Sequence, residues 1–392
     1  MLNTAFISGW INMLRLNEKT IRWITVSVCL AVCVYAVIVF YNVIAGDKQW
    51  DFRTYYFAAQ AHSQGVDPYD TENLRALADR EISLAYVYPP LTLYAFRPFL
   101  LFSFETAYQL FFFLKLAALA VLIYIWYTRF LSDKRFTVVL CLLCAFAFRE
   151  TIIRDLYAGN VSVFEQLMLW AAALFFVEKK SLAYCVLIGI TALFKFTFVI
   201  LLFAVLLDRD RKAVLSFVTV GAAFVVVTLI SFLGNPTLFE GFVANVASLS
   251  EGIPINQASL TLIRDVLRLI SDMTGGEFVR LDSAFHIAFV LFLLIFSFRS
   301  VSGYDFRNNR TDFIILCFFL YALLMPRMKD YSYVLLIIPC LHVTYRMLGT
   351  GLARLLAVFF LCVSFLPYQA FLTALILYLV FIRQIRRGAP AL

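Results

Sequence analysis

Long apolar runs alternate with short polar segments along nearly the whole chain. A helix needs about 20 apolar residues to cross the hydrocarbon core of a bilayer, and several of these runs are shorter. The pattern predicts about 12 membrane spans, within a range of about 11 to 13. The predicted spans cover residues 21–45, 106–128, 136–148, 161–178, 181–194, 196–207, 213–233, 281–298, 312–325, 332–346, 351–366 and 368–383. Because the runs leave no room for a soluble unit, residues 1–392 are predicted to form one all-α integral-membrane domain, a polytopic helical bundle.

The basic residues predict how the chain is oriented. Lys and Arg cluster in short segments between alternate apolar runs, and such segments face the cytoplasm in membrane proteins. Both termini are then cytoplasmic, and two large loops, 46–88 and 234–280, lie on the opposite face. We therefore expect a multi-pass protein of the inner (cytoplasmic) membrane whose chemistry lies on the periplasmic or extracytoplasmic face.

Both large loops are predicted to contain helices. In the first, segments 51–63 and 70–82 are separated by a Gly-Val-Asp-Pro turn, since Gly tolerates positive φ and Pro restricts the residue before it. The run 88–104 is predicted as an interfacial or re-entrant helix, because a full span there breaks the alternation of basic loops. In the second loop, 259–272 has apolar and charged residues on opposite faces, which is typical of an amphipathic helix lying in the membrane interface.

The composition excludes several classes of protein. Hydrophobic residues make up 63% of the chain and charged residues 15%, too few polar side chains to cover a soluble protein of this size. The net charge of +8 comes from the basic loops, and no nucleic-acid-binding motif accompanies it. We therefore predict membrane lipid as a partner and no nucleic acid.

The cysteines and histidines do not form a metal-binding pattern. All eight cysteines lie in apolar runs, including the C-x-x-C pair Cys141 and Cys144, which has no histidine near it. Small buried hydrophobes are a better interpretation than a zinc or redox site. His62, His286 and His342 are scattered without ligand spacing. No metal and no cofactor are predicted.

Asp51 is the first candidate for chemistry. It follows the first apolar run, in Trp50-Asp51-Phe52-Arg53. A carboxylate in a partly dry pocket can act as a general base for a hydroxyl group. The local sequence alone favours the alternative that Asp51 caps the helix that begins there.

Basic residues on the predicted outer face are candidates for holding a phosphate or diphosphate. Lys195, Arg327, Lys329 and Arg264 form this set. Solvated loop charges are the alternative, and Lys195 could instead be a lysine whose stem is buried while its amine reaches the interface. For Lys115, within an apolar run, that snorkelling position is the prediction.

The first outer loop resembles glycosyltransferase family 87, a branch of the GT-C membrane glycosyltransferases that uses polyprenol-phosphate-mannose. Asp51 and Tyr55 are similar to an Asp-x-x-x-Tyr element of the family, and Gly65, Pro68 and Tyr69 to a Gly-x-x-Pro-Tyr element. The stretch from Tyr86 to Pro90 follows in the same order.

The resemblance continues downstream in shorter segments. Gly159 to Ser162 looks like the family's Gly-Gln-x-Asn segment, with Asn160 at the Gln position. Lys195-Phe196-Thr197 resembles a Lys-x-x-Pro segment, with Phe198 at the Pro position. Asn256 to Ser259 matches an Asn-Gln-x-Ser motif. Where many members have Trp and His after a Ser-Pro pair, this chain has Lys329 and Tyr331.

The resemblance implies an inverting transfer of a sugar, mannose above all, from a polyprenyl phosphate to a hydroxyl acceptor on a glycan, a glycolipid or another molecule. It implies Asp51 as general base and no metal. The substrate-binding candidates are Arg53, Tyr55, Tyr69, Tyr88, Arg154, Asp155, Asn160, Lys195, Asn256, Gln257, Arg264, Arg327, Lys329 and Tyr331.

Two other functions remain open at this point. A transporter or lipid flippase would concentrate charges at the bilayer midplane in paired broken helices, whereas this chain places them in outer loops. A non-catalytic assembly subunit would make Asp51 and Lys195 dispensable except through the stability of a complex.

Overall fold

The computed structural model describes residues 48–78, 82, 84–131, 144, 148–248, 256–346 and 368–387, with single positions between 23 and 43. Within these residues the secondary structure is helical, and the one pairing of extended backbone is an isolated bridge between Asn256 and Lys329. The prediction of an all-α chain is therefore confirmed there. The predicted span 351–366 and most of 21–45 and 136–148, with Cys141, lie outside the described residues.

The helices are numbered here in chain order. They are α1 Trp50–Ser63, α2 Thr71–Ala78, α3 Leu91–Phe96, α4 Phe104–Ile125, α5 Arg149–Ala158, α6 Ser162–Val177, α7 Ser181–Phe194, α8 Arg211–Gly234, α9 Pro236–Ser248, α10 Ser259–Thr274, α11 Asp282–Val301, α12 Arg310–Leu324, α13 Ile337–Tyr345 and α14 Gln369–Arg386. Short 3₁₀ segments occupy Arg97–Leu101, Phe196–Asp208, Phe278–Leu281 and Asp330–Leu336, and a π turn follows α4 at Trp126–Phe130.

In the part of the chain that the structure describes, four helical segments are long and apolar enough to cross a membrane. They are Phe104–Phe130, Arg211–Gly234, Phe278–Val301 and Gln369–Arg386. Other apolar helices, such as α6 and α7, are shorter. The chain is thus a membrane protein, and the described residues establish four candidate spans rather than the 12 predicted.

The first large loop, 46–88, contains the helices that its sequence predicts. The segment 51–63 is helical as α1, and the turn after it places Gly65 at φ +73°. The helix predicted for 70–82 is described over α2, where the Asp70 carboxylate accepts a hydrogen bond of 2.9 Å from the backbone N–H of Glu72. Within 88–104, α3 and the 3₁₀ turn after it form an apolar helix of 11 residues, Leu91–Leu101, that ends before α4 begins.

The second large loop, 234–280, is more helical than the sequence indicates. The amphipathic helix predicted for 259–272 is confirmed as α10, and α9 is a further helix that the sequence does not predict. Asn235 starts α9 by accepting a hydrogen bond of 3.2 Å from the N–H of Leu238. Asn245 donates to the carbonyls of Tyr69 (2.8 Å) and Tyr86 (3.0 Å), so α9 closes against the first loop.

Two buried hydrophobic clusters occur among the residues that the structure describes. The larger one joins α4, α6, α7, α12, α13 and α14 into the helical bundle. The smaller one lies beneath the loop 46–88, where the Phe52 ring of α1 stacks on Phe111 of α4 with centroids 4.4 Å apart. Aromatic pairs of this kind add to the energy of burial. The smaller cluster fixes α1, and with it Asp51, against the bundle.

Candidate functional site

A close backbone contact brings the start of α1 against the end of α5. Gly159 has φ +65°, and a Cβ there would lie 2.6 Å from Cβ of Gln49, so a side chain does not fit. Gln49 donates its backbone N–H to the carbonyl of Tyr157 (2.6 Å) and its side-chain amide to the carbonyl of Tyr108 (3.0 Å). Asp51, two residues after Gln49, therefore meets Asn160, which follows Gly159.

Asn160 is the centre of a polar cluster. Its Nδ2 lies 2.5 Å from Oδ2 of Asp51, 2.9 Å from the hydroxyl of Tyr55, 3.1 Å from that of Tyr88 and 3.0 Å from that of Tyr331. An amide nitrogen has two hydrogens, so it donates to two of these oxygens at a time. Its Oδ1 accepts a 2.9 Å bond from the N–H of Ser162 at the start of α6. The structure thus brings four predicted site residues, Asp51, Tyr55, Tyr88 and Tyr331, into contact with a fifth, Asn160.

Asp51 does not cap its helix. The residue before α1 is Gln49, in a left-handed conformation and without a side-chain capping bond, and the Asp51 side chain turns instead toward Asn160. Asp51 is 5% exposed and lines a recess of about 40 Å³ together with Tyr55, Tyr88 and Lys329. The carboxylate is therefore held by a side chain from the turn between α5 and α6 and can still be reached from the recess.

The phenols beside Asp51 remain hydrogen-bond donors. Burial, with the nearby Tyr88 and Asp51, raises the pKa of Tyr55 well above its usual value. Burial, with Glu165 and Asp51, likewise raises the pKa of Tyr88. The Tyr55 hydroxyl donates to that of Tyr88 over 3.0 Å, and Tyr69 donates to the Tyr88 carbonyl over 2.8 Å. Tyr69 thereby supports the segment that carries Tyr88.

The prediction that Lys115 snorkels to the interface is wrong. Lys115 is 0% exposed, and its Nζ lies 2.9 Å from the carboxylate of Asp155. The same Nζ donates to the backbone carbonyls of Asp155 (2.5 Å) and Asn160 (2.8 Å). A lysine on α4 is stable inside the bundle because these oxygens replace water around its charge.

The same contacts correct the role expected for Asp155. It was predicted to bind substrate, but it is 2% exposed and paired with Lys115. Lys115 and Asp155 together hold the turn from α5 to α6, which presents Asn160 to Asp51. They position the cluster from beneath.

A larger cavity of about 420 Å³ adjoins the polar cluster. Its lining combines predicted site residues with apolar ones and is formed by Val87, Tyr88, Pro89, Asn160, Glu165, Phe194, Lys195, Phe196, Thr197, Phe242, Val246, Met325, Pro326, Arg327, Lys329, Tyr331 and Ser332. Tyr88, Asn160 and Lys329 also line the recess of Asp51, so the two spaces are neighbours.

Three predicted cations line this cavity. Lys195 lies in extended conformation between α7 and the 3₁₀ segment after it, and its Nζ is 5.4 Å from the centroid of the Phe198 ring. Arg327 and Lys329 come from the segment between α12 and the following 3₁₀ helix. Three positive side chains around one space can bind a phosphate group.

Other predicted site residues lie outside the cavity lining. Arg264 pairs with Asp282 over 2.7 Å, so the structure does not place it with the three cations. Arg154 pairs with Asp330 over 2.8 Å, next to Tyr331 in the chain. Arg53 is buried in α1, 8% exposed.

Asn256 and Gln257 do not line the cavity, and instead they support the segment that carries Arg327 and Lys329. Asn256 accepts a 3.1 Å bond from the N–H of Met328, whose carbonyl accepts one from the N–H of Gln257, also 3.1 Å. The Gln257 side chain accepts from the N–H of Ala370 over 3.0 Å. Both residues thus fix the backbone between Arg327 and Lys329.

The sequence also missed one residue of the cavity, Glu165. It stands in the first turn of α6, is 3% exposed and lines the cavity. A lone carboxylate inside an apolar run is a signal that could have found it, because such groups are costly in a membrane protein. No group of three or more potential metal ligands occurs in the part of the chain that the structure describes.

Comparison with known proteins adds one finding. The chain matches glycosyltransferase family 87 over residues 86–326, more than half of its length, a range that contains Tyr88, Asn160 and Lys195 and begins after Asp51. No curated protein and no solved structure matches it. A sugar donor and an acceptor meeting at a membrane are what the family implies. The chain therefore belongs to glycosyltransferase family 87, of the GT-C type, and is a membrane glycosyltransferase.

Proposed function

We propose that the protein transfers a hexose, mannose as the first candidate, from a polyprenyl phosphate to a hydroxyl acceptor. The observation that carries this proposal is the neighbourhood of Asp51 and the cavity with Lys195, Arg327 and Lys329. One space offers a base and the other offers positive charge. A sugar phosphate that is split by a hydroxyl group needs both.

Asp51 is the general base in this proposal. As the acceptor oxygen attacks the anomeric carbon, its proton passes to the Asp51 carboxylate and a new C–O bond forms. The bond from that carbon to the phosphate oxygen breaks, and its electron pair leaves with the phosphate. Attack from the side opposite the leaving group inverts the anomeric configuration. Asn160 holds the carboxylate in place through its 2.5 Å contact.

The cations stabilise the leaving group. Charge grows on the bridging phosphate oxygen as the sugar departs, and Lys195, Arg327 and Lys329 surround the space where it would lie. Fixed positive groups are most effective where charge develops in the transition state. A monophosphate can be released in this way without a metal ion, so the proposal includes no metal and no cofactor.

The membrane orientation belongs to the same proposal. The basic segments favour an inner-membrane protein with this cavity on the periplasmic or extracytoplasmic side. A lipid-linked donor reaches such a cavity from the outer leaflet. The acceptor is a hydroxyl of a glycan, a glycolipid or another envelope molecule.

Radiolabelled sugar transfer by the purified protein in lipid vesicles tests the proposal. We expect label from polyprenyl-phosphate-mannose to enter a product of the envelope glycan pool, and the Asp51→Asn variant to form none above background. Label that crosses the vesicle membrane unchanged, with no product, would instead support the transporter or flippase alternative.

A further inference from the structure

Glu165 is a buried carboxylate that the proposed reaction does not use. It lies in the first turn of α6, where the partial positive charge of the helix N-terminus favours an anion. The side chain reaches the large cavity on one side. On the other side it borders an apolar cleft of about 210 Å³, lined by rings and aliphatic chains such as Phe111, Leu114 and Phe164.

The hydrogen-bonding capacity of Glu165 is not met by the residues that the structure describes. No hydrogen bond from a described side chain to its carboxylate is present, and Lys195, Tyr88 and Tyr321 lie within range of its charge. An ionised carboxylate has about four acceptor sites, and leaving them unfilled in a buried place is costly. The apolar cleft has no donor to fill them. A molecule that occupies the cavity can supply these donors, because Glu165 is part of the cavity lining.

The chemistry of Glu165 selects one part of a polyprenyl-phosphate sugar. A phosphate carries the same sign of charge and is repelled. A polyprenyl chain has no hydrogen to donate. The hydroxyl groups of the sugar are donors, and two neighbouring hydroxyls can bond to the two oxygens of one carboxylate. Lys195 lines the same cavity as Glu165 and can hold the phosphate while Glu165 binds the sugar.

We propose that Glu165 is a sugar-binding residue that accepts hydrogen bonds from hydroxyls of the transferred hexose and thereby sets which hexose is used. The inference rests on the proposed function, because it requires a hexosyl phosphate in this cavity. Asp51 acts on the acceptor, the three cations act on the phosphate, and Glu165 orients the sugar ring between them.

Lipid binding measured without turnover tests this proposal. The full-length protein in nanodiscs is titrated with polyprenyl phosphate and with polyprenyl-phosphate-mannose, for wild type and Glu165→Gln. Gln keeps the shape of Glu but loses the charge and one acceptor oxygen. We expect Glu165→Gln to lower the affinity for the mannose-bearing lipid by more than about tenfold. The affinity for the sugar-free lipid should stay within about twofold of the wild-type value. Equal changes for both lipids would overturn the proposal.

Deoxy-mannosyl donors sharpen the result. If Glu165 bonds to a given hydroxyl, removing that hydroxyl weakens binding in the wild type but has little further effect in Glu165→Gln. Additive losses at every hydroxyl would contradict the assignment. Glu178→Gln is the matched control, because it makes the same change at the far end of the same helix, outside the cavity. It should behave as wild type.

The two proposals fail in different ways. Wild-type protein that binds neither lipid would overturn the proposed function, and the role of Glu165 with it. Wild-type protein that binds and transfers mannose, with Glu165→Gln retaining full affinity for the mannosyl lipid, would overturn the role of Glu165 alone. Thermal unfolding of each variant shows whether an affinity change reflects loss of the fold.

Discussion

Among the described residues, two buried polar clusters lie at opposite ends of α6. Asn160 precedes α6, whereas the carbonyl of Phe176 near its other end accepts a 2.7 Å bond from Arg310. A helix of this length separates its ends by about 22 Å. At the Phe176 end, Arg310 also binds Asp208 through both nitrogens of its fork. These two clusters bury similar groups for different purposes.

The cluster at the far end is matched in charge. Asp312 accepts bonds from Nε2 of His342 (2.9 Å), from Arg346 (2.7 and 3.0 Å) and from the hydroxyl of Tyr304. Carboxylates paired with guanidinium groups tie α12, α13 and the loops together. In the Asn160 cluster the connecting groups are an amide and phenols, and the charges of Asp51 and Lys329 line spaces that a ligand can enter. The Asp312 cluster thus uses its charges to hold helices together, whereas the charges near Asn160 are available to a ligand.

Removing the Asp51 carboxylate should have the largest effect on activity. Asp51→Asn keeps the size of the side chain but cannot accept the acceptor's proton, so transfer should fall by about 10²- to 10⁴-fold. The melting temperature should stay near that of wild type, because an amide can still contact Asn160. Initial rates and thermal unfolding in detergent measure both. Near wild-type transfer would remove Asp51 from the role of base.

Asp312→Asn should lower the stability of the protein and leave its activity unchanged. Losing one charge of a buried, matched set leaves Arg346 without its counterion and costs about 3–5 kcal/mol of unfolding free energy. We expect a lower melting temperature and an unchanged kcat per folded molecule. A specific loss of kcat at permissive temperature would show that the far cluster also serves chemistry, and the comparison would fail.

The sequence was sufficient for the helical class, the helices of the first loop and the amphipathic α10. Hydrophobic periodicity and turn residues such as Gly65 are local features, so the structure they predict does not depend on distant parts of the chain. The shape of 234–280 was less accessible, since α9 depends on bonds from Asn245 to a segment far away in the chain. The span count could not be confirmed from the described helices.

The site was predictable only as a set of residue types. The order of motifs pointed to Asp51, Tyr55 and Asn160, but their meeting depends on Gly159 letting Gln49 approach. Lys115 was misjudged because a lysine in an apolar run has two stable solutions. It can extend to the interface or find a buried acid, and only tertiary contacts decide between them.

Lys115→Met tests whether an ion pair can serve the site as well as the fold. Lys115 forms a buried ion pair, as the residues around Asp312 do, but its pair with Asp155 holds the turn that carries Asn160. A small displacement of Asn160 would misplace Asp51, so transfer should fall by about 10- to 100-fold. The melting temperature should also fall, because Asp155 loses its counterion.

A double variant separates the two contributions of Lys115. Lys115→Met with Asp155→Leu removes the unpaired charge and should recover part of the melting temperature. It should not recover kcat, because the bond from Lys115 to the Asn160 carbonyl is still absent. Full recovery of both would mean that Lys115 acts on stability alone.

A pair of tyrosine variants gives the smallest and most direct comparison. Tyr331→Phe removes a hydroxyl 3.0 Å from Asn160, and Tyr304→Phe removes one bonded to Asp312. A single hydrogen bond is worth about 0.5–1.5 kcal/mol, or about two- to tenfold in an equilibrium or a rate. Tyr331→Phe should lower kcat by that factor with little change in melting temperature, because Tyr55 and Tyr88 still contact Asn160. Tyr304→Phe should lower the melting temperature and leave kcat unchanged. If both variants changed kcat equally, the distinction between the two clusters would be wrong.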